Sequence, residues 1–126
     1  QVKVTLTESS KEIRHLASII KLNTLENERI GNYKLSYWNP KHAMLFYSDR
    51  ELESPITDKK ELLKKSNSNP KKMWLTNATE FKTLNSQFPE KFFLIMGNSK
   101  YAFFTSSQNR DYVKYDFSEF KLPNVK

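Results

Sequence analysis

At 126 residues the chain is one domain, and 37% apolar residues with a mean hydropathy of −0.73 leave it a modest core, about what one sheet with a few helices needs. Lys and Arg outnumber Asp and Glu by 21 to 14, and the net charge of +7 favours phosphate-bearing partners such as lipid headgroups, lipid-linked sugars or nucleic acid without choosing among them. The absence of cysteine excludes disulfide and thiolate chemistry, and the longest apolar run, Phe92 to Met96, is far too short to cross a bilayer.

The first element is an amphipathic helix. Ser9-Ser10-Lys11-Glu12 has the form of a capping box, and Ile13, Leu16, Ala17 and Ile20 follow at helical spacing, so a helix is expected from Ser9 to about Asn23. Glu28 to Leu35 reads as a strand carrying Ile30, Tyr33 and Leu35, weakened by Gly31 in its middle. Asn39-Pro40 then offers an N-cap with proline at the first helical position, opening a short helix through Ser48 that carries Leu45, Phe46 and Tyr47.

Beyond Pro55, Asp58 caps a helix containing Leu62 and Leu63, which stops in the polar run Ser66 to Pro70. Met73-Trp74-Leu75 is a short buried strand. Asn77-Ala78-Thr79-Glu80 is a second capping box, and Phe81, Leu84 and Phe88 share one helical face before Pro89. Phe92–Met96 and Tyr101–Thr105 make two strands around the turn Gly97-Asn98-Ser99-Lys100, and the aromatic alternation from Tyr112 to Phe120 suggests a further edge strand. This order predicts an α/β fold: a small mixed sheet flanked by helices, with parallel pairing early and a C-terminal antiparallel hairpin.

Few residues carry a chemical signal. His15 and His42 stand apart, with no partner at zinc-ligand spacing. Asp49, Glu51 and Glu53 alternate in a proline-bounded turn, which gives no reason for raised carboxyl pKa values. With only Gly31 and Gly97, the chain has no glycine-rich phosphate loop. Trp38, Phe46 and Tyr47 offer rings to a sugar or lipid face, against the simpler reading that they pack a helix on the sheet. The densest basic region is Lys59, Lys60, Lys64, Lys65, Lys71 and Lys72; with the guanidinium fork of Arg50 these are the candidate contacts for an anionic headgroup, against the plainer reading of solvated charge.

The succession of an amphipathic helix, a strand ending in Tyr33, the stretch Met44-Leu45-Phe46-Tyr47-Ser48-Asp49-Arg50, an Asp58-capped Leu62-Leu63 helix, a strand, an Asn77-headed helix and a Phe-rich hairpin resembles a known domain. It is similar, from about Ser9 to Thr105, to the soluble C-terminal, periplasmic domain of bacterial membrane glycosyltransferases of the dolichyl-phosphate-mannose protein mannosyltransferase and lipid A aminoarabinose transferase family. That resemblance implies a parent enzyme using a polyprenyl-phosphate-linked sugar, with its catalytic carboxylates in membrane loops, and a domain over the cavity on the periplasmic or extracellular face. No catalytic residue is carried over, no cofactor is expected in this domain, and a divalent metal in the membrane part is left unassigned. The chain starts at Gln1 without a basic-then-apolar leader, so residues 1–126 are expected to be one domain cut from the C-terminus of a multi-pass protein. Its expected partners are the transmembrane part of the same polypeptide and a membrane surface or lipid-linked sugar. A free-standing secreted binding module, such as a toxin inhibitor, is the alternative. Nucleic acid is not expected, because the aromatics fall in apolar runs rather than between basic residues.

Overall fold

The computed structural model describes residues 2–35 and 49–115, with side chains in the first helix described from Glu12 onward. The helix expected at Asn39–Ser48, with Trp38, His42, Phe46 and Tyr47, lies outside the described residues, as do 116–126. Helix α1 spans Val2–Leu22. Ser9 is therefore inside the helix and not its cap: no glycine or proline interrupts Val2 to Leu22, so the helical pattern runs through the apparent box. The helix stops where side chains take over its last carbonyls. Asn23 donates Nδ2 to Ile19 O (2.9 Å) and Thr24 donates Oγ1 to Ile20 O (2.7 Å).

The remaining elements are β1 (Arg29–Asn32), β2 (Glu51–Leu52), α2 (Lys59–Ser68), β3 (Met73–Asn77), α3 (Ala78–Gln87), β4 (Phe92–Gly97), β5 (Tyr101–Ser106) and a 3₁₀ helix at Ser107–Tyr112. The strands form one sheet in the order β2-β1-β3-β5-β4. β1 is parallel to β2 and to β3, whereas β3–β5 and β4–β5 are antiparallel, so the expected mixed α/β architecture is present.

Both faces of the sheet are covered. On one, Leu16, Ala17, Ile19 and Ile20 of α1 pack on Ile30, Leu75, Ile95 and Phe103. On the other, Leu62 of α2 and Phe81 and Leu84 of α3 pack on Tyr33, Trp74, Phe92 and Phe104. The alternation of a pleated strand divides β3 between them, Met73 and Leu75 facing α1 and Trp74 facing α2 and α3. Phe104 anchors the second core, with Phe81 at 5.2 Å and Phe92 edge-on at 5.4 Å between ring centroids.

Two helix starts look alike in sequence and differ in structure. Asp58 caps α2, accepting from Lys60 N at 3.0 Å. Asn77 occupies the corresponding position before α3 but makes no side-chain cap bond, and Glu80 reaches Lys34 instead of closing a box (3.4 Å). The hairpin is held by Asn98, whose Oδ1 accepts from Lys100 N and Tyr101 N, each at 2.8 Å. The strand expected from Tyr112 is also absent in the described part. Tyr112 closes the 3₁₀ helix, opened by Ser106 Oγ accepting from Gln108 N at 3.2 Å, and Val113 to Tyr115 join no ladder. Lys114 instead exchanges both main-chain groups with one side chain, donating N to Asn23 Oδ1 (2.7 Å) and accepting at O from Asn23 Nδ2 (2.9 Å).

Candidate functional site

One concavity among the described residues lies where α1 ends and where β1 and β3 begin. It is a cleft of about 680 Å³ between the turn after α1, the α2–β3 turn and the 3₁₀ helix. Three of the large apolar side chains that stand exposed belong to it: Leu22 (38%), Leu25 (76%) and Tyr112 (73%). Deeper in the cleft, polar Thr24 and Asn109 are buried beside apolar Met73. Asn109 donates Nδ2 to Thr105 Oγ1 at 3.2 Å, which ties the 3₁₀ helix to β5.

The cleft is cationic. Arg29, Lys71, Lys72 and Lys114 line it against Glu28 and Glu53. Lys72 is committed to structure: its Nζ lies 2.9 Å from Glu53 Oε2 and 5.7 Å from the centre of the Trp74 ring. Arg29 pairs with Glu51 at 3.1 Å, an exposed contact of little energetic weight. Lys71 and Lys114 have no carboxylate within ion-pair distance among the described residues. A second hollow, of about 660 Å³, lies beside it and is lined by Glu26, Asp49, Arg50 and Glu51 among others.

The residues singled out from the sequence are dispersed. Arg50 braces the end of α1, donating Nε to Thr24 Oγ1 (2.8 Å) and Nη2 to Thr24 O (3.1 Å). Lys59, Lys60, Lys64 and Lys65 ride on the exposed side of α2, opposite buried Leu62 and Ser66. Lys59 donates to Gln87 Oε1 at 3.2 Å and Lys65 faces Glu61 at 3.8 Å. Lys71 and Lys72 belong to the cleft. Arg50 and Lys72 thus hold the fold together, while Lys60, Lys64 and Lys71 face solvent. His15 is buried on α1 beside a smaller pocket of about 330 Å³ that also includes Glu12, Met96 and Ser99. Among the described residues no group of three or more His, Asp or Glu could hold a metal ion, and no helix is long and apolar enough to cross a membrane.

A second charged group sits at the opposite end of β1. Lys34, at φ 65°, lies 3.4 Å from Glu80 and 5.4 Å from the centre of the Tyr33 ring. Tyr33 and Glu80 hold the Lys34 ammonium above its usual pKa. Burial raises the Tyr33 phenol, against the pull of Lys34. Burial alone raises Tyr101 and Tyr115.

Sequence reasoning missed Leu22, Leu25, Asn109, Tyr112 and Lys114 as neighbours, because three separate turns bring them together. One signal was available: Leu22 closes α1, and Leu25 follows the polar pair Asn23-Thr24 beyond it, where a leucine has no helical face to occupy. Comparison with known protein families, curated proteins and solved structures returns no match for the chain.

Proposed function

We propose that the chain is a non-catalytic extracytoplasmic domain of a bacterial inner-membrane glycosyltransferase using a polyprenyl-phosphate-linked sugar, and that it covers or shapes the substrate entrance. The observation that carries this reading is the order of elements. The first helix, the strand leading to Tyr33, the Asp58-capped helix, the Met73 strand, the Asn77-headed helix and the Phe-rich hairpin follow in that order in one sheet and its covering helices, with β2 after the first strand; of the stretch Met44 to Arg50, on which the resemblance also rests, only Asp49 and Arg50 are among the described residues. A supporting role also fits the charged groups. Arg50 on Thr24 and Lys72 on Glu53 join parts of the fold that are distant in sequence.

The test is the reading frame upstream of Gln1, which should encode about ten apolar spans of roughly 20 residues, with an acidic residue in the first outer loop. A short frame opening with a secretory signal would overturn the proposal. That outcome would favour a free-standing protein-binding module, a second reading that draws on the exposed Leu25 and Tyr112 beside the cleft. In the full protein, deleting this domain should lower sugar transfer from a polyprenyl-phosphate donor.

A further inference from the structure

The geometry points to the cleft at the end of α1 as a docking surface for an acidic segment of a partner protein, one that carries a large apolar side chain between its carboxylates. The inference stands apart from the glycosyltransferase reading. It begins with Leu25. Leu25 is exposed to 76%, on a main chain that a closed turn holds in place. Leu25 N donates to Glu28 Oε1 at 2.9 Å, and Glu28 N donates back to Leu25 O at 3.0 Å. The preceding residues are fixed as well, Thr24 by Ile20 and Arg50, and Asn23 by Ile19 and Lys114. Tyr112, exposed to 73%, stands on the 3₁₀ helix anchored through Asn109. Apolar groups on a main chain that is already fixed spare a complex the cost of ordering the loop and leave only that of the side chains.

Three features select the partner. The apolar side chains Leu22, Leu25 and Tyr112 are exposed, whereas within the cleft a single buried apolar side chain, Met73, stands beside buried polar Thr24 and Asn109, so most of the apolar surface is displayed outward rather than enclosed as in a small-molecule pocket. This arrangement suits a polypeptide lying across the opening. The lining holds four cations against two carboxylates, and Lys71 and Lys114 have no carboxylate partner among the described residues. They are free to meet one from outside. The net charge of +7 disfavours a second copy of this chain and attracts an acidic partner.

The test uses fluorescence anisotropy at low salt with three labelled synthetic peptides. One alternates Glu with Leu and Phe, one replaces Glu by Gln, and one replaces Leu and Phe by Ala. The first should bind, and the other two at least about tenfold more weakly. Leu25→Ala with Tyr112→Ala, and separately Lys71→Glu with Lys114→Glu, should each weaken the first peptide by about fivefold or more. Lys60→Glu with Lys64→Glu makes the same charge change on α2 and should leave affinity within about twofold. All six side chains are exposed, so the variants are expected to fold. The proposal is overturned if the first peptide fails to bind at millimolar concentration, if the alanine peptide binds equally well, or if the α2 charge change weakens binding as much as the cleft change. It is also overturned if the cleft substitutions abolish binding to phosphatidylglycerol vesicles or an oligonucleotide while leaving the peptide unaffected.

Discussion

Gly31→Ala is expected to destabilise the protein, although alanine is the better strand residue. Gly31 pairs with Trp74 across the β1–β3 ladder, and the indole lies against the space where a side chain would begin. A Cβ added at Gly31 would stand 2.4 Å from Trp74 Cε3 and 2.7 Å from Cδ2, where ordinary contact starts at 3.4 Å, so about 1 Å of movement is required. Trp74 is 1% exposed, with Leu62, Leu84 and Phe104 of the same core at 0–1%, and it has nowhere to go. Overfilling a packed core costs about 1–3 kcal/mol. Removing glycine from a strand returns roughly 0.5–1 kcal/mol. The central values leave a net loss of about 1 kcal/mol, a fall in Tm of roughly 4 °C for a chain of this size. Thermal and urea unfolding of the wild type, Gly31→Ala, Trp74→Leu and the double variant measure it. In the Trp74→Leu background the added methyl has room, so the two substitutions should couple by about 1 kcal/mol or more. A Tm that rises in Gly31→Ala, or an equal cost in both backgrounds, would refute the argument.

Two further predictions concern stability. Asp58→Ala should cost about 1 kcal/mol in urea unfolding because it removes a bond to Lys60 N, whereas Asn77→Ala, at a cap position with no side-chain bond, should cost less than about half of that; equal costs would contradict the difference between the two helix starts. The raised pKa values of Tyr33, Tyr101, Tyr115 and Lys34 mean that the folded chain keeps protons the unfolded chain releases. Their contribution is complete below the ordinary values of 10.0 and 10.5, and stability falls as pH rises through the higher folded values. Urea midpoints should decline above pH 10.0, with less decline in Tyr101→Phe, and a flat profile would count against buried phenols as the cause.

What the sequence made legible was whatever rests on neighbours in the chain. Asp58 two residues before Lys60, the Phe81 and Leu84 face, and Asn98 at the turn of the hairpin all act over fewer than five positions, and each is found as expected. Apart from Ser9, which the longer helical pattern absorbed, the misreadings share one cause. Glu80 was free to cap α3 by spacing, but Lys34, far away in sequence, is its partner. The aromatic alternation at Tyr112 is a strand pattern, yet the main chain of Lys114 bonds to a single asparagine, Asn23, just past the end of α1. Gly31 reads as a weakness in a strand until Trp74 is placed beside it. The cleft was hidden for the same reason: Leu25, Lys71 and Tyr112 have no relation in sequence and meet only when the sheet forms.

The outer strand β4 has a further consequence. Its register with β5 shifts between Leu94 and Met96, so that Ile95 and Met96 both turn toward the α1 side, and the Tyr115 hydroxyl donates to Ile95 O at 3.0 Å. A strand from another molecule approaching this edge would meet an interrupted repeat with one of its acceptors already occupied. An interrupted register and an occupied acceptor of this kind disfavour edge-to-edge pairing through β4, the most hydrophobic strand.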